Sequence, residues 1–292
     1  MRILVTGASG FIGSHLLPAL SSQHETICLV HHKALSQAPA GVAVIQGDLA
    51  QPVALTSLPE RIDAVIHLAQ ANVPFPEEAH QLFAVNAAST QWLADYARRA
   101  SASHFLYASS GNVYTPGSEI LREDSPCQPQ GLYAVTKYVS ELILGCYTSF
   151  FNVCILRLFV PYGPGQTGRM MPGIIARVRE GRPVILTNSG EPRTNPVYIL
   201  DVAKVFAQAL ALTGHHIVNV AGPEEVSIED IARLAGAALG REPVFERRAV
   251  PEHRNLVAST ARLQATFDLG ARVPPAEGIR RMVQALEGRG AG

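Results

Sequence analysis

The chain has 292 residues, 47% of them hydrophobic, and its 24 Lys and Arg cancel its 24 Asp and Glu. With no long run of either sign, a nucleic-acid groove or an anionic membrane surface is excluded as the main partner. No apolar stretch approaches the roughly 20 residues a spanning helix needs.

Met1-Arg2-Ile3-Leu4-Val5-Thr6-Gly7 opens directly into a strand, which leaves no room for a signal peptide. Cys28, Cys127, Cys146 and Cys154 have no metal-type spacing, so reduced thiols, no metal site and a cytoplasmic location are expected. The first half alternates short apolar runs with longer helical patterns, as parallel strands joined by crossover helices do. The pattern predicts strands over Arg2–Thr6, Thr26–Val30, Val42–Gln46, Ala64–Leu68, His104–Ser109 and Val153–Phe159. Helices are predicted over Phe11–Ser22, Ala84–Ala100 and Leu132–Phe150. The fold class is therefore α/β, a doubly wound parallel sheet with its ligand crevice at the carboxyl ends of the strands. Past Pro161 the texture changes. Tyr162-Gly163-Pro164-Gly165-Gln166 reads as a loop, Met170–Glu180 and Ile228–Leu239 as helices, Val197–Val220 as a return to strand and helix, and the tail past Gly288 as frayed. Residues 1–160 plus about 196–221 are assigned to a dinucleotide-binding domain, and about 161–195 plus 222–292 to a smaller, discontinuous α/β substrate-binding region.

Thr6-Gly7-Ala8-Ser9-Gly10-Phe11-Ile12-Gly13 follows the first strand and opens a helix, the context a dinucleotide cradle requires. Gly7 permits the tight turn, Gly10 lets the backbone approach a pyrophosphate, and Gly13 allows close packing. The N–H groups of the helix start, at Phe11 and Ile12, carry a partial positive charge. At the end of the second strand a carboxylate would select NAD and basic residues NADP. His31-His32-Lys33, with no acid nearby, leans towards NADP. Asp48, followed by Leu49, follows the third strand and either contacts adenine or caps a helix.

Tyr133 and Lys137 stand four apart and share one helix face. A free phenol titrates near 10, and a neighbouring ammonium favours the phenolate, so Tyr133 could move a proton as hydride passes to or from nicotinamide. Lys137 would also hold the nicotinamide ribose. Ser110, at the end of the preceding strand, can bond the same substrate oxygen. Trp92 and Tyr96, four apart on a helix, are either core or partner-facing. His67 is read as satisfied locally within its strand, and His215-His216 as a polar turn.

These motifs, with Ala64-Val65-Ile66-His67-Leu68-Ala69, Asn86, Tyr162-Gly163-Pro164, Arg193 with Asn195, and Val197-Tyr198 before Asp201-Val202, resemble the extended short-chain dehydrogenase/reductase family of sugar epimerases and dehydratases. The resemblance implies a Rossmann domain and a catalytic set of Ser110, Tyr133 and Lys137. It implies cofactor contacts at Asp48, Ala69 and Asn86, and substrate contacts at Ser110, Asn112 and Arg193. It also implies a homodimer and a nucleotide-sugar substrate. Two departures qualify it. Val160-Pro161 stands where members often carry Asn-Val, and Gly111-Asn112 replaces the Asp-Glu of 4,6-dehydratases, which argues against loss of water. The expected activity is 4-epimerisation or 4-ketoreduction. Reduction of a non-sugar carbonyl compound and non-catalytic NAD(P) sensing are the alternatives.

Overall fold

The computed structural model describes residues 1–32, 35, 38–51, 57–115, 117, 119–187, 192–248 and 255–288. Lys33 and the tail past Gly288 lie outside the described residues. The described chain falls into two compact units, the first comprising Met1–Thr115, Glu123–Arg157 and Ala203–Val218 and the second the remainder.

The first unit is built on β1 (Arg2–Thr6), α1 (Phe11–Ser21), β2 (Glu25–Val30), β3 (Ala43–Gln46) and β4 (Ala64–His67). α2 (Ala79–Phe83) runs through a π-helical turn at Ala84–Ala88 into α3 (Ser89–Arg99). β5 (His104–Ser110), a 3₁₀ turn at Gly111–Val113, α4 (Leu132–Gly145) and β6 (Asn152–Leu158) follow, and β9 (His215–Val220) closes the sheet. Strand order is β3-β2-β1-β4-β5-β6-β9. β1 pairs in parallel with β2 on one side and β4 on the other, so successive strands are added outward on both sides of β1. The order reverses between β1 and β4, and ligands of such sheets bind at the strand ends beside that reversal. β1, β2, β4 and β5 are buried almost end to end, which is why they read as continuous apolar runs rather than alternating ones. Leu4, Ile27, Val65, Phe105, Tyr107 and Ile155 of the sheet pack with Leu93, Ala94 and Ala97 of α3.

Two helix boundaries differ from expectation. The helix expected at Ala84 begins at Ala79 and passes through the π-helical turn. Within it the Asn86 carbonyl accepts from the Thr90 hydroxyl at 3.2 Å and the Ser140 hydroxyl at 2.5 Å. The helix expected to reach Phe150 stops at Gly145. The amides of Cys146, Tyr147 and Phe150 then bond three residues back, tightening the chain into turns.

The second unit contains α5 (Met170–Arg179), β7 (Val184–Thr187), β8 (Arg193–Thr194), β10 (Val226–Ser227), α7 (Ile228–Leu239), β11 (Phe245–Arg248), α8 (Ala261–Thr266) and α9 (Pro275–Glu287), while α6 (Ile199–Ala209) crosses the boundary. β7 pairs with β11 and β8 with β10. α7 packs against α5 and α9. α9 escaped the sequence reading, although Pro275 sits in its first turn and Ile279, Met282 and Val283 recur at helical spacing on its buried face.

Candidate active site

The glycine loop between β1 and α1 has three different reasons for its glycines. Gly7 has φ of +72°, and a Cβ there would lie 2.6 Å from the Ala69 nitrogen. A Cβ at Gly13 would lie 2.5 Å from Ala8 Cα, so this glycine lets α1 seat on the loop. At Gly10 only the Gly7 carbonyl comes near, at 3.1 Å, and the residue is exposed. Gly10 is also the N-cap of α1, with no side-chain cap and no acid in the first turn. The half-buried Phe11 and Ile12 thus begin a helix whose leading N–H groups and positive dipole end suit a pyrophosphate.

The end of β4 forms the opposite wall. His67 is fully buried, its Nδ1 2.7 Å from the Thr6 hydroxyl oxygen and its Nε2 3.4 Å from that of Ser89. Burial, with Lys137 nearby, pushes its pKa down to about 3, so the imidazole is neutral. Thr6 Oγ1 also accepts from the Ala69 N–H at 3.3 Å, which fixes the second residue beyond the strand. Asn86 reaches across from the π-helical turn: its Oδ1 accepts from the Ala71 N–H at 2.7 Å and its Nδ2 donates to the Ala71 carbonyl at 3.2 Å. The Asn86 side chain therefore brackets the loop after β4 from beneath.

α4 supplies the third wall. The Tyr133 hydroxyl donates to Gln70 Oε1 at 3.1 Å. One turn on, Lys137 is only 1% exposed, and its Nζ donates to the Ala108 carbonyl at 2.9 Å and lies 6.0 Å from the Tyr133 ring centroid. Burial pulls the Lys137 pKa down to about 7, against the attraction of Glu141. Ser110, at the end of β5, accepts from the Asn112 N–H at 3.2 Å and so caps the 3₁₀ turn, leaving the Asn112 side chain at an exposed position. The first unit thus gathers Gly7, Gly10, Gly13, Ala69, Ser110, Tyr133 and Lys137 onto the loops and helix that follow β1, β4 and β5. Residues 3–221 match the NAD dependent epimerase/dehydratase family. The chain belongs to that family.

Curated relatives are consistent with this membership. An uncharacterized UDP-glucose epimerase of Bacillus subtilis is 28% identical over 83% of this chain and 83% of its own length. The GDP-6-deoxy-D-mannose reductase of Pseudomonas aeruginosa is 29% identical over 99% of this chain and 98% of its own. Among solved structures, the NAD complex of Thermus thermophilus UDP-glucose 4-epimerase superposes with a TM-score of 0.84 at 26% identity, covering 99% of both chains.

The remaining sequence candidates occupy varied settings in this family member. Asp48 Oδ1 accepts from the Ala50 N–H at 2.9 Å, and its Oδ2 lies 3.8 Å from Nε2 of the exposed His31, whose ring lies close to that of His32 at an interplanar angle of 36°. The Leu49 side chain is buried with the sheet residues Ile27 and Leu29. In the second unit, Arg193 is ion-paired with Glu225 on the surface, and its backbone N–H donates to Asn255 Oδ1 at 3.0 Å. Asn195 is buried and brackets the Ala258 backbone at 2.8 and 2.9 Å. Val160 has φ of +42°, a left-handed conformation in which a β-branched residue is strained and an asparagine is tolerated. Tyr96 is core, its hydroxyl donating to the Pro59 carbonyl at 2.8 Å, and Trp92 is half-buried. His215 and His216 begin β9, where the His216 ring bonds the Thr213 carbonyl at 2.7 Å. Sequence reasoning overlooked Glu141 and Arg157, a buried ion pair beside the Ser/Tyr/Lys set. Their signal was a carboxylate four residues beyond Lys137 and an arginine inside an otherwise apolar strand.

Proposed function

We propose that this protein is an NAD-dependent oxidoreductase of a nucleotide-sugar, acting as a 4-epimerase with tightly held cofactor. The observation that carries the reading is the buried Lys137 ammonium behind Tyr133, one helix turn away and facing its ring. A buried cation at that place favours the phenolate form of a tyrosine. Tyr133 Oη takes the proton of the substrate hydroxyl as the C–H bond at the same carbon breaks, and returns it in the reverse step. The Ser110 hydroxyl orients the substrate oxygen, and Lys137 also binds the ribose beside the nicotinamide. Gly7, Gly10 and Gly13 with the start of α1 hold the pyrophosphate, and Asp48 and His31 border the adenosine. Bound NAD supplies the acceptor and donor of the hydride.

UDP-glucose is the first substrate to try, because the Thermus thermophilus protein similar to this one is a UDP-glucose 4-epimerase and the Bacillus subtilis one is described as an uncharacterized UDP-glucose epimerase. Dehydration is disfavoured, since Gly111 and Asn112 offer no acid and base after Ser110. Arg193 is assigned to the substrate diphosphate, which requires its release from Glu225. All four cysteines are free thiols, and no helix among the described residues is long and apolar enough to cross a membrane.

A second reading, net reduction of a 4-keto sugar with exchangeable NADPH, is favoured by the exposed His31-His32 pair and by similarity to a sugar-nucleotide reductase along nearly the whole chain. Mass spectrometry of the denatured protein separates the two. Stoichiometric NAD retained through purification, with UDP-glucose and UDP-galactose interconverted, supports the epimerase. An empty site with preference for NADPH supports the reductase. Tyr133→Phe should retain dinucleotide binding and lose turnover by at least about a hundredfold; undiminished turnover would remove Tyr133 from the mechanism.

A further inference from the structure

Glu141 and Arg157 form an ion pair in which each side chain is only 3% exposed. The desolvation of two such charges offsets most of their attraction, so stability alone is a weak reason for burying them. Their position offers a better one. Glu141 stands four residues beyond Lys137 and eight beyond Tyr133, along one stripe of α4. Its Oε1 accepts from the Ser109 hydroxyl and from Arg157 Nε at 3.0 Å, and its Oε2 accepts from Arg157 Nη2 at 2.6 Å.

Three consecutive residues at the end of β5 are consequently held by three different bonds. The Ala108 carbonyl accepts from Lys137, the Ser109 hydroxyl donates to Glu141, and the Ser110 hydroxyl accepts from Asn112. Arg157 extends the tie past the strand. Its guanidinium lies 4.6 Å from the Tyr114 ring centroid, and Nη1 donates to the Glu123 carbonyl at 3.4 Å.

We propose that Glu141, with Arg157, is a positioning residue for proton transfer: it clamps the end of β5 to α4, holding Ser110 and Lys137 in register with Tyr133, and provides the buried negative charge that keeps Lys137 an ammonium. This rests on the reading of Ser110, Tyr133 and Lys137 as the working groups. The groups facing Lys137 support it. His67 from β4 is neutral, the Tyr107 ring from β5 lies 5.0 Å from Nζ, and Tyr133 and Glu141 come from α4 itself. Of these, Glu141 opposes the effect of burial on the ammonium. A neutral side chain at 141 leaves the Arg157 cation buried without its counter-charge and drives the Lys137 proton off.

The test compares Glu141→Gln with the triple variant Ser109→Ala, Glu141→Met, Arg157→Met, in which apolar groups replace the whole network. The first readout is the ultraviolet tyrosinate titration of the NAD-loaded protein, with Tyr133→Phe as the blank; the second is turnover against pH. In Glu141→Gln the Tyr133 component should move to higher pH, and kcat should fall about tenfold or more with little change in KM. The alkaline limb should shift to lower pH, because Lys137 deprotonates earlier. The triple variant should keep the wild-type melting temperature and still show both defects. Wild-type titration and kcat in the triple variant would make the pair purely structural and overturn the proposal; it decides alone if Glu141→Gln does not fold. A shifted Tyr133 titration in a protein that turns over no nucleotide-sugar would sustain the positioning role and sink the functional reading instead.

Discussion

Gly10 and Gly13 lie three residues apart in one loop, yet alanine at each should fail differently. At Gly13 the new methyl meets backbone on three sides, at 2.5 Å from Ala8 Cα and the Gly7 carbonyl and 2.6 Å from the Ala8 carbonyl. Backbone cannot swing aside as a side-chain end can, so Gly13→Ala should cost about 1–3 kcal/mol of stability. At Gly10 the one close atom, the Gly7 carbonyl oxygen, is 3.1 Å away, so Gly10→Ala should lose less stability than Gly13→Ala. Its methyl occupies instead the space a pyrophosphate needs, and dinucleotide affinity should drop at least about tenfold. Thermal melting with and without NAD separates the two. Equal loss of stability in both variants would contradict the assignment of Gly10 to ligand approach and Gly13 to packing. Gly7 and Gly13 could be assigned from the sequence because each is required by backbone geometry. Glu141 could not, since whether a carboxylate on a helix is solvated or buried depends on a strand partner sixteen residues away.

At the scale of elements, α7 carries its own start and stop signals. The Ser227 hydroxyl accepts from the Asp230 N–H at 3.0 Å, and Asp230 Oδ2 accepts from the Ser227 N–H at 2.9 Å, a reciprocal capping box. Gly240 ends the helix in the left-handed conformation at φ of 60°. The same backbone bond, with the Ser227 side chain, lowers the Asp230 pKa. Because α7 packs against both α5 and α9, its first turn is not free to fray without cost. Ser227→Ala should lower stability by about 1 kcal/mol, read as a shift in denaturant midpoint with unchanged slope. No shift would mean that packing alone holds the turn. The parallel strands and the long helices of the first unit were legible for a related reason: a buried strand must be apolar along its whole length, and an amphipathic helix must repeat. The π-helical turn at Ala84–Ala88 was not, because a single wider turn leaves the apolar period of the surrounding helix nearly unchanged. Nor were the two-residue strands β8 and β10, too short to set up any period. α9 was missed although Ile279, Met282 and Val283 carry its period.

For the molecule as a whole, the balance of charge and the distribution of exposed apolar side chains bear on assembly. A formal charge of zero gives two copies no mutual repulsion. In the first unit, Val135 and Leu142 stand two turns apart on one stripe of α4, with Leu142 56% exposed, and Phe83 of α2 and Phe150 are exposed as well. Exposed apolar side chains along one helix stripe are the kind of surface that association covers. The resemblance implies a homodimer, and an isologous contact of α4 with its mate is the arrangement to test. Leu142→Arg places a charge at the centre of that contact without disturbing the interior, because the side chain is more exposed than buried. It should convert a dimer to a monomer in sedimentation equilibrium while leaving the far-ultraviolet spectrum unchanged. Since α4 also carries Tyr133, Lys137 and Glu141, the monomer should bind dinucleotide yet turn over more slowly, as the helix loses support along its outer face. A wild-type chain that sediments as a monomer would refute the dimer, and a dimer untouched by Leu142→Arg would move the interface elsewhere.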